Sequence, residues 1–310
     1  MQPIHDRRRL VEQEGHRHAV KRGQFGKVHF ENFPLLMSVL KFLLRVTFIS
    51  NIGHRNAAAI KLEHSEIVLD ELPVSFDGIR ILLITDLHIE GIDSLVESIV
   101  SAAGKTDYDF CVLGGDYSFH RDQGSGPAYL KMCELATRLK EKTPVYAVLG
   151  NHDRYSMAEL LDQCGVEMLL NENIRIVKNG ENIYLSGLDD CHYYGADDIG
   201  QVQSGIADGV CKIMVCHSPE RYKEAARAGY SLYLAGHTHG GQVCLPGGAA
   251  IVTSTSVPRR LLKGKWKHGA MKGFTSRGVG STGVAVRFFC RPEITVITLR
   301  SKLSKNERTA

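Results

Sequence analysis

The chain has no uncharged apolar run of 18 residues, no CxxC pair, one tryptophan, and a formal net charge of only +4 over 310 residues. The first absence excludes an ordinary transmembrane helix. The second excludes the usual zinc-ribbon and thioredoxin-type signatures. Eight cysteines spread through so long a chain do not make a disulfide framework. Cys111, Cys211 and Cys216 lie in or beside apolar runs, where a thiol serves as a small buried hydrophobe. Reduced thiols in a cytoplasmic protein are therefore expected. The charge is unevenly placed: residues 1–50 hold nine Lys and Arg against four Asp and Glu, leaving −1 for the remainder. A body of that charge, without a basic groove interleaved with aromatics, argues against polymeric nucleic acid as a partner. No internal repeat or low-complexity tract is present.

Within the basic segment lies LLMSVLKFLLRVTFIS, residues 35–50. On a helix, Ser38, Lys41 and Arg45 form a narrow polar stripe on an apolar cylinder. Two readings stand: a helix lying in an anionic membrane surface behind the basic stretch Arg7 to Lys27, or a helix packed on the protein body. Arg7, Arg8 and Arg9 are not expected to open an export signal, since the apolar run comes too late and lacks a small-residue cleavage site. The expected organisation is a basic segment over 1–64 with an amphipathic helix near 35–50, a domain over 65–300, and a polar tail over 301–310.

From residue 65 onward, apolar runs end abruptly in polar or glycine-rich clusters. IRILLIT (79–85) meets Asp86 and His88; YDFCVLGG (108–115) meets Asp116; PVYAVLG (144–150) meets Asn151, His152 and Asp153; CKIMVC (211–216) meets His217; and YSLYLAG (230–236) meets His237 and His239. Such runs predict strands buried on both faces. Helical spacing over 94–105, 127–142 and 218–229 separates several of them. The expected fold is α/β, a layered β-sandwich flanked by helices, with its site at the carboxyl ends of the strands. NIRIVKNGENIYLSGL (173–188) predicts a hairpin turning at Asn179-Gly180, and VAVRFFCRPEITVITL (284–299) another near Arg291-Pro292.

GHTHGGQ (236–242) places His237 and His239 two residues apart among glycines. On extended backbone, residues i and i+2 project to one side, and glycine allows close approach of a ligand. Neutral imidazole is the commonest protein metal donor. Taken in order, the strand ends offer DLH (86–88), GGD (114–116), GNHD (150–153), His217 and GHTH (236–239). This ordered series resembles the calcineurin-like metallophosphoesterases, whose pattern is DxH, GD, GNH[DE], H and GHxH. The flanking HSPE, GHTHGGQVCLP and SRGVG…VRFFCRPEITVITL are similar to a bacterial branch that contains membrane-associated phosphodiesterases and some UDP-2,3-diacylglucosamine hydrolases. The resemblance covers roughly residues 65–300.

The resemblance implies two metals at the edge of a β-sandwich. Asp86, His88 and His239 would hold one ion, Asn151, His217 and His237 the other, with Asp116 bridging. The mixed donor set suits Mn²⁺ first, with Fe or Zn²⁺ also compatible, and argues against Ca²⁺. A hydroxide shared by the ions would attack phosphorus. By the same resemblance, His152 would protonate the leaving oxygen or stabilise charge in the transition state, with Asp153 orienting it. The function expected is cleavage of a phosphodiester or pyrophosphate bond in a phosphorylated small-molecule or lipid-linked substrate, such as UDP-2,3-diacylglucosamine, at the inner face of the cytoplasmic membrane. A soluble cyclic-nucleotide or general phosphodiesterase is the alternative. A non-catalytic scaffold would be marked by lost ligands, and none is missing.

Other residues carry two readings each. His120 and His192 are loop histidines that would either touch substrate or face solvent. Asp189 and Asp190 form a carboxylate pair at a hairpin exit. Arg259, Arg260, Lys263, Lys265 and Lys267 surround Trp266 in a basic run that is either a solvated loop or a lipid-facing one. Arg277 would either approach an anionic substrate or pair internally.

Overall fold

A computed structural model of the chain describes residues 5–14, 50–119, 126–251, 253 and 255–302. His120 and residues 35–49 of the expected amphipathic helix lie outside these described residues. Strands β1 (Lys61–Leu69), β2 (Arg80–Ile84), β3 (Phe110–Leu113), β4 (Val145–Ala147), β5 (Glu167–Met168) and β12 (Glu293–Ser301) form one six-stranded sheet in the order β1-β12-β2-β3-β4-β5. The second sheet has the order β10-β11-β9-β8-β7-β6. Its members are β6 (Glu172–Lys178), β7 (Glu181–Leu188), β8 (Lys212–Cys216), β9 (Leu232–Ala235), β10 (Gly264–His268) and β11 (Met271–Thr275).

The continuous apolar runs are buried on both faces, as a layered α/β sandwich requires. Ile81 and Leu83 of β2 pack between the sheets with Ile213 and Val215 of β8 and Leu232 and Leu234 of β9. The alternate residues Leu82 and Ile84 face helices α3 (Leu95–Gly104), α4 (Pro127–Lys140) and α5 (Tyr155–Gln163). Met214, Cys216 and Tyr233 face the other way, against Tyr222 and Trp266. Burying each large side chain stabilises the fold by about 1.5–3 kcal/mol. Strands β2 to β5 run parallel, as do β7, β8 and β9, so their carboxyl ends gather the loops that follow. Two more helices, α1 (His5–Glu14) and α2 (Ser50–Ala58), precede β1. No helix among the described residues is long and apolar enough to cross a membrane.

Three local expectations are corrected. The 173–188 hairpin forms, with Asn179 and Gly180 both at positive φ as a type I′ turn needs, but 284–299 is not a hairpin. Only β12 is a strand there, pairing parallel with β1 and antiparallel with β2. The preceding residues instead turn Arg287 fully into the interior and Phe289 out at φ 51°. The helix over 218–229 is a 3₁₀ turn (Pro219–Arg221) followed by a short α-helix (Tyr222–Arg227). The cysteines are not all reduced: Cys133 on α4 and Cys164 just past α5 are disulfide-bonded, their Cα atoms brought to 6.0 Å by helix packing that no sequence spacing signals.

Candidate metal centre

Every residue of the ordered series stands where a buried strand stops. Asp86 and His88 follow β2, Asp116 follows β3, Asn151 and His152 follow β4, His217 follows β8, and His237 and His239 follow β9. Among the described residues nine non-glycine residues have positive φ, and five of them are Asp86, His88, Asp116, His237 and His239. Such backbone costs about 1–3 kcal/mol per residue and collects at functional sites. Here it turns side chains from parallel strands toward shared points. His237 and His239 are accordingly not on extended backbone; φ values of 69° and 48° send their rings to different places.

One donor group comprises Asp86, His88 and His239; the other comprises Asp116, His217 and His237, with the donor atoms of each group within 4.8 Å of one another. Asp116 links the two: its Oδ2 is 3.7 Å from His88 Nε2 and 3.2 Å from His217 Nε2. His88 Nε2 and His239 Nε2 are 3.2 Å apart, and His239 Nε2 is 3.6 Å from Asp86 Oδ1. Glycine is required beside the carboxylates, because a Cβ on Gly150 would fall 2.2 Å from Asp116 Oδ1 and one on Gly236 2.4 Å from Asp86 Oδ2.

The outer partners settle which ring atoms point inward. His88 Nδ1 donates to the Ser118 carbonyl at 2.9 Å and His217 Nδ1 to the Gly114 carbonyl at 2.8 Å, which leaves each Nε2 directed at the centre. Burial holds the imidazoles of His88, His237 and His239 below their ordinary pKa. Burial opposes the charge of Asp116, yet His217, His152 and His88 hold its carboxyl well below the usual range. Burial likewise opposes the charged form of His217, but Asp116 and Asp86 overcome it and raise the group to about 10. The Nε2 atom of His237 is buried without a hydrogen bond and that of His217 faces Asp116 Oδ2, an arrangement a bound cation satisfies. Imidazole and carboxylate donors of this kind fit divalent transition metals.

Asn151 is buried at the rim of this cluster. His152 donates its amide to Asp116 Oδ1 at 2.8 Å, and its ring stands edge-on 5.0 Å from His88. Asp153 does not orient that ring. Its carboxylate accepts the amides of Gly150, Asp116 and Tyr117 at 2.7–2.8 Å, tying the GNHD loop to the GGD loop, while His152 Nδ1 lies 3.1 Å from the Phe119 carbonyl. His192 is not a solvent-facing histidine: it pairs with Glu220 at 3.1 Å and its ring lies 4.2 Å from that of His237. Asp190 accepts the amides of His192, Tyr193 and Tyr194, a turn-building role. Arg277 pairs internally, with Glu293 and Glu63. Trp266 is buried, donating to Thr275 Oγ1 at 2.8 Å and packing on Tyr233, so it does not face lipid.

Two buried arginines were not among the expected site residues. Arg287 lies against His239, with Nη2 3.3 Å from Nδ1. Arg8, from α1, reaches the loop that carries Asn151 and His152. Neither belongs to a spacing motif, and each is recognisable only by its surroundings.

Residues 79–241 match the family model described as calcineurin-like phosphoesterase. The chain is 29% identical over 273 residues to the uncharacterized metallophosphoesterase YkoQ of Bacillus subtilis (strain 168), covering 85% of this chain and 98% of that relative. It is 28% identical over 234 residues to the phosphodiesterase YaeI of Escherichia coli (strain K12), covering 71% of this chain and 82% of that relative. Family, fold and donor groups agree on a metal-dependent phosphoesterase with two divalent metals acting on a phosphorylated substrate, and the chain belongs to the calcineurin-like phosphoesterases.

Proposed function

We propose that the protein hydrolyses a phosphodiester or pyrophosphate bond in an amphiphile with a polar, nucleotide-like portion, UDP-2,3-diacylglucosamine being the specific case. The observation that carries the reading is Asp116 Oδ2, which lies between Nε2 of His88 and Nε2 of His217. In this assignment Asp86, His88 and His239 would hold one ion and Asn151, His217 and His237 the other, Asp116 would serve both, and Mn²⁺ would be the preferred metal. Two such ions, when bound, neutralise phosphoryl oxygens and lower the pKa of water toward neutrality. His152 serves as the acid for the leaving oxygen; with Nδ1 donating to Phe119, Nε2 is the nitrogen for that task. Its amide on Asp116 keeps the ring in register with the metal-binding carboxylate.

The substrate class rests on what flanks the centre. On the His237 side, His192 borders a cavity of 660 Å³ lined by Tyr193, Tyr194, Arg221, Glu220 and Ser256, a size and polarity suited to a nucleotide portion. On the His239 side, Leu245, Ile251 and Phe289 are exposed together with Arg259, Arg260 and Arg291. The segments that carry them are neighbours: Cys244 N donates to the Phe288 carbonyl, Ile251 N to the Val243 carbonyl, Arg259 to the Ala250 carbonyl, and Cys290 Sγ to the His239 carbonyl. Helix α2 packs on the same strip, since Gly53 has no room for a Cβ against Val286 and Phe288. Exposed apolar side chains among cations suit an anionic lipid surface, and this supports peripheral attachment at the inner face of the cytoplasmic membrane.

The test is release of UMP from UDP-2,3-diacylglucosamine by Mn²⁺-loaded protein, with Asp116→Ala as control. Release that disappears in the variant is the expected result. No release, alongside Asp116-dependent cleavage of bis(p-nitrophenyl) phosphate, would retain the phosphodiesterase and discard the lipid-linked substrate.

A further inference from the structure

Helix α1 lies well outside the segment that matches the family, residues 79–241, yet one of its side chains is fully buried beside the metal centre. The Arg8 guanidinium uses all its N–H groups. Nε and Nη2 donate to Asp189 Oδ1 at 3.0 and 2.6 Å, Nη1 donates to the Asp153 carbonyl at 2.6 Å, and Nη1 and Nη2 reach the Gly150 carbonyl at 3.3 and 3.2 Å. Its plane lies 4.0 Å from the Tyr194 ring centre. The helix is gripped at two further points. Arg9 pairs with Glu159 at 2.7 Å, and Glu12 accepts the Tyr155 amide at 2.8 Å where α5 begins.

The acceptors of Arg8 belong to two loops from different sheets. Gly150 and Asp153 bracket Asn151 and His152 on the loop after β4. Asp189 opens the loop after β7, whose His192 lies against His237. One rigid fork therefore joins the two loops that border the Asn151, His217 and His237 ion site, and no bond in the first donor group depends on it.

We propose that Arg8 is a positioning residue for the second ion, which makes α1 a working part of the active site. This rests on the assignment of that ion to Asn151, His217 and His237. Partners just outside a metal's own ligands typically change metal affinity or activity 10- to 100-fold when removed. Lysine cannot replace Arg8, because a single ammonium cannot span both loops as the planar fork does.

The experiment uses the full chain. Mn²⁺ is titrated into wild type, Arg8→Ala and Arg8→Lys, following stoichiometry and the electron paramagnetic resonance spectrum, with turnover of bis(p-nitrophenyl) phosphate measured alongside. Expected in both variants are an unchanged first ion, a second ion weakened by about 10- to 100-fold, and replacement of the exchange-coupled signal by that of a single ion at limiting Mn²⁺. Added guanidinium should restore the coupled signal and turnover to Arg8→Ala but not to Arg8→Lys, whose ammonium occupies the place. Two ions bound with wild-type affinity in the variants would overturn the proposal. If Arg8→Ala does not fold, Arg8→Lys decides by the same criteria. Failure of the underlying assignment looks different: wild-type turnover would then be insensitive to Asp116→Ala.

Discussion

Asp86, His88 and His239 are backed from the C-terminal side by Arg287, whereas the loops around Asn151, His217 and His237 are backed from the N-terminal side by Arg8. Both arginines are fully buried and both lie outside residues 79–241. Their partners differ. Arg8 meets a carboxylate, Asp189, at 2.6 Å, so its charge is compensated and its contribution is geometric. Arg287 donates to the carbonyls of Arg277, Gly278, Gly280, His239 and Cys290, and burial lowers its pKa. These carbonyls lie on the strip that packs beneath Asp86, where a Cβ on Gly278 would fall 2.6 Å from Asp86 Cβ. The first half is thus built into the core through Arg287, while the second half is bordered by two loops that Arg8 of α1 joins. The family segment supplies the donors, and its two flanks hold them in place.

The sharpest way to break the comparison is at the shared residue. Asp116→Ala should remove both ions and abolish turnover, because Oδ2 faces both halves. His152→Ala keeps the backbone amide on Asp116 Oδ1 and removes no member of either donor group, so it should retain both ions and slow turnover by about 10²–10⁴-fold. Metal content measured beside rate separates the two; loss of metal in His152→Ala would make that residue a ligand or a structural support.

Next in size is the cost of removing Arg287. Arg287→Ala leaves several buried carbonyls without donors, each worth about 1–3 kcal/mol, and the total loss should be on the order of 3 kcal/mol or more. Urea unfolding compares this with Arg8→Ala, which leaves the buried Asp189 carboxylate without its counter-charge and should cost about 3–5 kcal/mol. An Arg287→Ala loss under about 1 kcal/mol would remove the reading of a half built into the core.

How much of this was legible beforehand follows from the same contrast. The strands of the two parallel regions could be read because they are buried on both faces and so carry unbroken apolar runs, and the donors could be read because each run stops in them. The sequence pattern instead suggests a hairpin around β12. Its real neighbours, β1 and β2, are more than 200 residues away in sequence, and the alternation in VAVRFFC looks like a strand although Arg287 points inward. Arg8 offered no signal, since three consecutive arginines near a terminus look alike until Asp189 and two carbonyls select one. Adjacency misleads at Asp153 for a similar reason: its place beside His152 in sequence says nothing about the three amides that claim its carboxylate. The lysines flanking Trp266 leave a solvated loop and a lipid-facing one both open in the sequence, but on β10 alternate residues face opposite ways, and Lys265 and Lys267 are exposed while the indole is buried.

The smallest effect expected is a pH dependence that differs between the halves. In the ion-free protein His217 titrates at about 10, raised by Asp116 and Asp86 against the opposing effect of burial, whereas burial keeps His88 and His239 below their ordinary value. At pH 7 to 9 the second group therefore carries a proton that must leave when a cation takes its place at Nε2, and the histidines of the first group do not. Cation and proton compete, so apparent affinity for the second ion should rise with pH, by at most about tenfold per unit for one displaced proton, and level off near pH 10. Affinity for the first ion should change far less over the same range. Calorimetric titration of Mn²⁺ in buffers of different ionisation enthalpy counts the protons directly. Release of one proton with the second ion and almost none with the first would tie the asymmetry to His217, and equal release from both would show that the two halves titrate as one cluster.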